Sequence, residues 1–333
     1  MRKIRIAQIG IGHDHASAII NTLRKQSDIY EIVGYAVPEV EQNRFENNLK
    51  SFEGIPELSV DEILNDPTIE AVAIETEEVN LTNYALMAAK AGKHIHMDKP
   101  GGLELAQFEE LIRVLKEKKL AFSLGYMYRF NSAIMELMED IKAGKLGQIV
   151  SVEAHMSCWH GPNKRQWLEA FPGGMLFFLG CHLIDLVYGI MGQPDEVIPM
   201  SYCSGVDGVT AQDCGMAILR YQNNVSFVKS CALERGGFDR RQLVVTGSKG
   251  TVELRPLEMY GNFENQYTGV RTSTSTVWAD RGYTTNTKPR ARYAAMMESF
   301  YETAVGLKEN PYSYDYELAV YKLVLQCCGV KVS

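Results

Sequence analysis

The chain has 333 residues, 46% of them hydrophobic and 23% charged, a composition typical of a globular protein and a length that favours two domains. Its formal net charge of −7 argues against nonspecific binding to nucleic acid, and no apolar run approaches the roughly 18 residues of a membrane span. The seven cysteines form no C-x-x-C pair, which is typical of free thiols in a reducing compartment. We therefore expect a cytoplasmic protein without a nucleic-acid or membrane partner.

Strand-like and helix-like segments alternate through the first 124 residues. Short apolar runs predict strands at 4–9, 30–37, 71–75, 94–97 and 121–124. Helices are predicted at 15–26, 39–52, 59–66, 80–92 and 104–118. The 59–66 helix opens with Ser59 and has Glu62 three residues later, a capping box. This alternation predicts an α/β domain with a doubly wound parallel sheet.

The pattern changes after residue 124. A helix is predicted at 132–143, and from Gln148 onward alternating runs with short turns predict a large, mostly antiparallel open sheet. Further helices are predicted at 173–192, 291–307 and 314–328. We expect a nucleotide-binding domain over 1–124 and an α+β domain over 125–333, with the active cleft between them.

A glycine turn follows the first strand. Gly10-Ile11-Gly12 stands between that strand and a helix, as in the G-x-G-x-x-G turn that binds a dinucleotide pyrophosphate, although His15 replaces the third glycine. His13 and His15 could also be metal ligands, but the spacing suggests no third or fourth ligand. We interpret both as polar residues of the cleft and expect no metal site.

An acidic residue that binds the adenosine ribose is expected at the end of the second strand. That position falls at Val37, which cannot accept a hydrogen bond through its side chain, and Glu39 is close enough to substitute. The choice between NAD and NADP therefore stays open.

The segment AVAIETEEVNLTNYALMAAKAGKHIHMDKPGG, residues 71–102, combines strand, helix, strand and an acidic-Lys-Pro tripeptide. It resembles the Gfo/Idh/MocA family, named for glucose–fructose oxidoreductase and inositol dehydrogenase. Similar patterns follow in order as GYMYRFN, IKAGKLGQIVSVEA, GGMLFFLGCHLIDLVYGIMGQP and VTGSKGTVEL. The chain is identified on these motifs as a divergent member.

The resemblance implies a Rossmann domain, an open-sheet domain that forms homodimers or homotetramers through its sheet, and hydride transfer between NAD or NADP and a hydroxyl of a sugar, polyol or sugar acid. It implies that Lys99 hydrogen-bonds the reacting oxygen and that His182 takes the proton. The cofactor contacts it implies are Gly10, Ile11, Gly12, His13, Val37, Thr76, Asp98, Lys99 and Pro100.

Several positions depart from the family pattern. Phe178 replaces an aspartate four residues before His182. Leu81 stands where the family's Thr-Pro-Asn-x-x-His loop has its histidine. Asp185 is expected to be structural. The implied substrate-binding residues are Tyr126, Arg129, Trp159, His160, Lys164, Phe178 and His182.

Two other functions remain open at this point. Some relatives cleave glycosides through an oxidise–eliminate–reduce cycle with no net redox change. The departures are also compatible with a catalytically inactive sugar- or nucleotide-binding regulator.

Overall fold

The computed structural model describes residues 2–259 and 266–332. The chain divides into two compact units, Met1–Tyr126 with Tyr293–Tyr321, and Met127–Arg292 with Lys322–Ser333. The first break lies just after the expected domain boundary at residue 124. The segment Tyr293–Tyr321, assigned from sequence to the C-terminal domain, groups with the N-terminal unit.

Contacts within the first unit explain this grouping. The hydroxyl of buried Tyr30 donates to the Met297 carbonyl at 2.6 Å, and the Tyr321 ring lies 4.5 Å from the Phe108 ring. The sequence analysis assigned residues by their order along the chain, and these long-range contacts leave no local signal.

Strands and helices of the described residues are numbered here in chain order. The strands are β1 (Ile4–Ile9), β2 (Tyr30–Ala36), β3 (Ala71–Ile74), β4 (His94–Met97), β5 (Phe122–Leu124), β6 (Ile149–His155), β7 (Glu196–Tyr202), β8 (Cys214–Tyr221), β9 (Asn224–Cys231), β10 (Gln242–Gly247), β11 (Gly250–Leu254), β12 (Gly269–Ser273) and β13 (Tyr283–Asn286). The α-helices are α1 (Ala16–Lys25), α2 (Val60–Asn65), α3 (Leu81–Lys90), α4 (Leu105–Lys118), α5 (Ser132–Lys142), α6 (Pro162–Trp167), α7 (Cys181–Met191), α8 (Ala294–Ala304) and α9 (Tyr314–Cys327).

A parallel sheet with the order β2-β1-β3-β4-β5 forms the core of the first unit. Its strands are short and apolar, and β3 is buried along its whole length, as expected for a sheet covered on both faces. β1, β3 and β4 are neighbours, so the residues that follow them meet at one edge. The doubly wound parallel sheet predicted from the alternation is confirmed.

The second unit contains the larger sheet, with the order β13-β12-β11-β10-β6-β9-β8-β7. Neighbouring strands are antiparallel except for the parallel pair β6 and β9. The prediction of a mostly antiparallel sheet is confirmed. β12 and β13 have short, polar sequences, GVRTS and YTTN, that give little indication of a strand.

Two segments differ from the sequence prediction. Residues 39–52 do not form an α-helix but two 3₁₀ segments, Glu39–Glu41 and Glu46–Phe52, separated by Asn43 at a left-handed φ of 62°. Residues Pro162–Trp167, for which no helix was predicted, form the helix α6, and Pro162 begins it at a position where its missing N–H costs nothing. The predicted capping box of α2 is present, with Ser59 and Glu62 bonding each other's backbone N–H.

No helix in residues 2–259 and 266–332 combines the length and apolarity needed to cross a bilayer.

A buried ionic cluster surrounds Glu258 in the second unit. Its Oε1 accepts hydrogen bonds from Arg241 at 2.8 Å and Arg292 at 2.9 Å, and the Tyr128 hydroxyl donates to the same oxygen. Burial by itself would raise the pKa of Glu258, but the two guanidinium groups and the Tyr128 hydroxyl hold it below its usual value. The ionised carboxylate therefore stabilises the folded unit.

We expect Glu258→Gln to lower the free energy of unfolding by about 3 kcal/mol at neutral pH, because two buried arginines lose their charge partner. In the unaltered protein, the Glu258 contribution is complete above the ordinary glutamate pKa of about 4.3 and is lost as the pH falls toward the lower folded pKa. Urea unfolding at several pH values measures both effects. The control is Glu253→Gln, a partly exposed glutamate 3.6 Å from Arg271. Equal losses in the two variants would contradict the prediction.

Candidate functional site

The glycine turn after β1 requires its first glycine. Gly10 has a φ of +96°, and a Cβ placed there would lie 2.4 Å from the Thr76 backbone nitrogen. The close approach of the two chain segments therefore excludes a side chain. Thr76, one of the predicted cofactor contacts, is buried directly beside the turn.

The backbone donors of this turn bind a carboxylate of the same chain. The N–H groups of Ile11 and Gly12 donate to Glu41 Oε2 at 2.8 and 3.1 Å, and the Glu77 N–H donates to Oε1 at 2.7 Å. Burial raises the pKa of Glu41, and the Ile11 and Glu77 amides partly oppose this shift. Asn48 adds a hydrogen bond from its side-chain amide to the Ile11 carbonyl at 2.7 Å.

The turn fits a dinucleotide phosphate in its backbone geometry. It presents two N–H groups in a common direction just before α1, the arrangement that binds phosphates at helix N-termini. The Glu41 carboxylate uses both donors, so a pyrophosphate can use them only after Glu41 has moved. Sequence reasoning missed Glu41 because it considered acids only at the end of β2.

The end of β2 places the predicted ribose-binding position at the surface of the unit. Val37 is half-buried and Glu39 is exposed. Both border an open hollow of about 640 Å³, which Tyr84 and Met87 also line.

Ionisable side chains meet at the carboxyl edge of β1, β3 and β4. His15 Nδ1 lies 2.9 Å and His13 Nδ1 3.3 Å from Asp98 Oδ2. Glu75, which follows β3, places Oε2 3.8 Å from His13 Nδ1. Because both histidines precede the first residue of α1, the spacing of a helix does not separate them, and their ring centroids are 4.8 Å apart.

The charges in this cluster follow from its burial. Desolvation lowers the pKa of His13 to about 3 and that of His96, behind it on β4, to about 4, so both rings are neutral. Desolvation and the charge of Asp98 raise the pKa of Glu75 well above its usual value. Although burial opposes it, the histidines and Lys99 hold the pKa of Asp98 well below its usual value.

Lys99 and Pro100 follow Asp98 directly at the end of β4. The Lys99 side chain is almost fully buried. The backbone N–H of Lys99 donates to Asp98 Oδ1 at 2.7 Å, and its backbone carbonyl oxygen lies 3.3 Å from His13 Nε2. Six of the predicted residues, Gly10, Ile11, Gly12, His13, Asp98 and Lys99, thus lie along one edge of the parallel sheet.

His182 lies in the second unit, buried on α7, with its ring centroid 5.2 Å from the perpendicular ring of Tyr128. One helical turn away, Asp185 accepts hydrogen bonds from Arg129 at 2.7 and 3.0 Å in a buried ion pair. This pair ties α7 to the segment Met127–Phe130. Arg129, predicted to bind substrate, thus pairs with Asp185 within the unit, and its role toward substrate stays a prediction.

Of the remaining predicted substrate residues of the second unit, Lys164 and His160 lie near Phe178, and Trp159 does not belong to this group. The Phe178 side chain belongs to a π-helical turn, Leu176–Gly180, and its ring packs edge-on against Trp167 with centroids 5.2 Å apart. Lys164 Nζ lies 3.6 Å from the centre of the Trp167 ring, and His160 lies 6.4 Å from Phe178. Trp159 is about half exposed and stands apart from this group, beneath Arg235. Tyr126, the last predicted residue, is buried in the first unit.

We expect Gly10→Ala to destabilise the protein by more than about 2 kcal/mol, because the added carbon meets the Thr76 backbone at a φ that side chains rarely adopt. The matched control is Gly54→Ala, whose φ of +78° is also positive but whose added carbon has no neighbour within 4 Å. Thermal and urea unfolding of both variants separates the clash from the backbone effect, which costs about 1 kcal/mol. Similar losses in the two would show that the close approach to Thr76 is unimportant.

Comparisons with known proteins follow the same division of the chain. Residues 4–126 match the profile of the oxidoreductase family GFO/IDH/MocA, NAD-binding Rossmann fold, and residues 134–253 match a GFO/IDH/MocA C-terminal domain. These matches together span most of the chain.

Among the relatives, the uncharacterized oxidoreductase YhhX of Escherichia coli is 32% identical over 58% of this chain and 54% of its own length. Myo-inositol 2-dehydrogenase of Thermotoga maritima is 24% identical over 75% of this chain and 74% of its own. For the first three relatives compared, the match spans only 39–54% of their length.

Solved structures share the fold at low identity. Levoglucosan dehydrogenase, in complex with NADH and levoglucosan, superposes with a TM-score of 0.79 at 17% identity, covering 98% of both chains. With the Rossmann unit, the large antiparallel sheet and both profile matches, the chain belongs to the Gfo/Idh/MocA family of oxidoreductases.

Proposed function

We propose that the protein is an NAD(P)-dependent oxidoreductase that transfers hydride between the nicotinamide and a hydroxyl-bearing carbon of a sugar, polyol or sugar acid. Membership of the family supports the use of a nicotinamide cofactor. The observation that carries the proposal is the buried Lys99 at the same sheet edge as the glycine turn. The names of the inositol and levoglucosan dehydrogenases among the relatives support the substrate class.

The cofactor would be held by the first unit. The N–H groups of Ile11 and Gly12 would bind its pyrophosphate once Glu41 withdraws, and the hollow beside Val37 and Glu39 would take the adenosine ribose. When bound, the nicotinamide supplies the hydride acceptor or donor. Neither an aspartate nor an arginine stands at the ribose position, so the choice between NAD and NADP is left to measurement.

Lys99 and His182 are the proposed proton-transfer groups. Lys99 would hold the reacting oxygen through its ammonium group, and His182 would take the hydroxyl proton as a neutral imidazole. The aromatic rings of Trp167 and Phe178, with Lys164 beside them, offer apolar faces and a cationic donor to a sugar.

A second copy of the chain is the proposed partner. The outer part of the large sheet exposes apolar side chains on β7 and β9, notably Ile198, Met200, Tyr202 and Val225, each at least 40% exposed. Such a surface favours association into a homodimer or homotetramer through the sheet.

A regulatory protein is the second candidate, because Glu41 fills the anion-binding donors that a redox enzyme needs for its cofactor. In that case nucleotide binding would be weak or absent and the fold would serve to bind a sugar. Glycoside cleavage without net redox change shares the cofactor requirement and would differ in its products.

We expect Glu41→Ala to tighten the binding of the preferred dinucleotide by about tenfold, because the competing carboxylate is removed from the two N–H groups. Calorimetry with NAD, NADH, NADP and NADPH measures this. Glu46→Ala, which removes the same charge from an exposed site on the neighbouring 3₁₀ segment, is the control. Unchanged affinity in Glu41→Ala would refute the competition, and no binding of any dinucleotide by either protein would reject the redox proposal.

We expect Lys99→Met and His182→Asn to lower kcat by at least about 100-fold, since each removes a proposed proton-transfer group. For His182→Asn, whose residue is not among the implied cofactor contacts, dinucleotide affinity should stay within about threefold of the unaltered value. The assay follows NAD(P)H absorbance with a panel of polyols, aldoses and sugar acids, and the exposed Lys145→Met serves as control. Full turnover in Lys99→Met would exclude Lys99 from the chemistry.

A further inference from the structure

The cluster at the carboxyl edge of the parallel sheet contains more ligand groups than proton transfer at Lys99 uses. His13 and His15 come from the turn after β1, Glu75 from the end of β3 and Asp98 from the end of β4. Because these three strands are adjacent, side chains as far apart in sequence as those of His13 and Asp98 reach one small volume. Spacing along the chain could not reveal the set.

The distances match those between ligands of one metal ion. One ligand atom from each of His13, His15 and Asp98 lies within 4.8 Å of the others. The two shortest separations, both to Asp98 Oδ2, are 2.9 and 3.3 Å. Tetrahedral bonds of about 2.1 Å place ligand atoms about 3.4 Å apart, so small side-chain adjustments suffice.

Electron pairs of three side chains, His13, Asp98 and Glu75, point toward one position beside His13 Nδ1. The His15 N–H donates to His13 Nδ1 at 3.1 Å, which makes that nitrogen an acceptor. The carboxylates of Asp98 and Glu75 nevertheless approach the same nitrogen at 3.3 and 3.8 Å. The Lys99 charge already acts on both carboxylates, and a metal cation at this point would stabilise them and the lone pair directly by taking Nδ1 in place of the amide.

Glu75 supplies an independent observation. Its side chain is fully buried and lies within hydrogen-bonding reach of the Asp98 carboxyl, but neither oxygen accepts a hydrogen bond from a nitrogen or hydroxyl donor in residues 2–259 and 266–332. The two nearest imidazole nitrogens, on His13 and His96, are each 3.8 Å away. Buried carboxylates without donors are costly and rare, and coordination of a metal ion satisfies them.

We propose that His13, His15, Asp98 and Glu75 bind one divalent first-row transition-metal ion, such as Zn²⁺ or Co²⁺. Two imidazoles and two carboxylates are suited to these ions rather than to Mg²⁺ or Ca²⁺, which prefer oxygen ligands. His15, with 13% of its side chain exposed, gives the ion a path from solvent. The site goes beyond the proposed redox function and does not depend on it, although two of its ligands, His13 and Asp98, are also implied cofactor contacts and the ion would lie one residue from Lys99.

Metal binding is tested on the full chain without nucleotide or substrate. After treatment with a chelator, the protein is titrated with Zn²⁺ by calorimetry and with Co²⁺ by visible absorption. We expect about one ion per chain, Co²⁺ bands that indicate nitrogen and oxygen ligands, and a higher Tm with Zn²⁺.

The variants separate the proposed ligands from their surroundings. We expect His15→Ala and Asp98→Asn to weaken Zn²⁺ binding by about 100-fold and the isosteric Glu75→Gln to weaken it by about tenfold. His94→Asn, at the opposite end of β4, should bind like the unaltered protein. Circular dichroism checks that each variant folds, and for a variant that does not fold, the Co²⁺ spectrum of the unaltered protein decides.

The proposal is overturned if the unaltered protein binds no Zn²⁺ or Co²⁺, or if His15→Ala and His94→Asn bind equally well. In the first case Asp98 and Glu75 share a proton instead of a metal ion. Both results leave dinucleotide binding untouched, so failure here is distinguishable from failure of the redox proposal.

Discussion

The interaction of the Glu41 carboxylate with three backbone N–H groups fixes the loops at the carboxyl edge of the parallel sheet. It joins the glycine turn after β1, the segment after β3 and the 3₁₀ segments that follow β2. Because hydrogen bonds to an ionised group are stronger than neutral ones, this single side chain holds three loops in register. The conformation of residues 39–52 is a consequence, since an α-helix there would carry Glu41 away from the turn.

The parts of the fold that follow local rules could be predicted from the sequence. The buried strand β3 is a continuous apolar run, and the capping box at Ser59 is a contact between residues three apart. Residues 39–52 could not be predicted in the same way. The polar sequence of this segment is typical of a surface helix, but contacts with residues far along the chain determine its conformation.

The candidate site also combines residues that local sequence predicts with residues that only long-range contacts reveal. The glycine turn and Lys99 were predicted because each belongs to a motif of adjacent residues, whereas their present roles remain proposals. Glu41 and Glu75 were not found, since Glu41 lies in a predicted helix and Glu75 at the end of a predicted strand, and each acquires its importance from burial beside another strand. Arg129, predicted to bind substrate, donates to Asp185, a long-range contact that the motif alone does not reveal, and its role toward substrate stays a prediction.

The return of Tyr293–Tyr321 to the first unit affects how the protein can be synthesised and divided. During translation, the ribosome must complete the entire second sheet before the N-terminal unit receives α8. Until then, the Tyr30 hydroxyl and the Gln26 side chain lack their partners, the Met297 and Ala294 carbonyls. A fragment ending at Tyr126 would expose part of its core, so an isolated N-terminal unit requires residues 293–321 to be supplied by fusion or as a separate peptide.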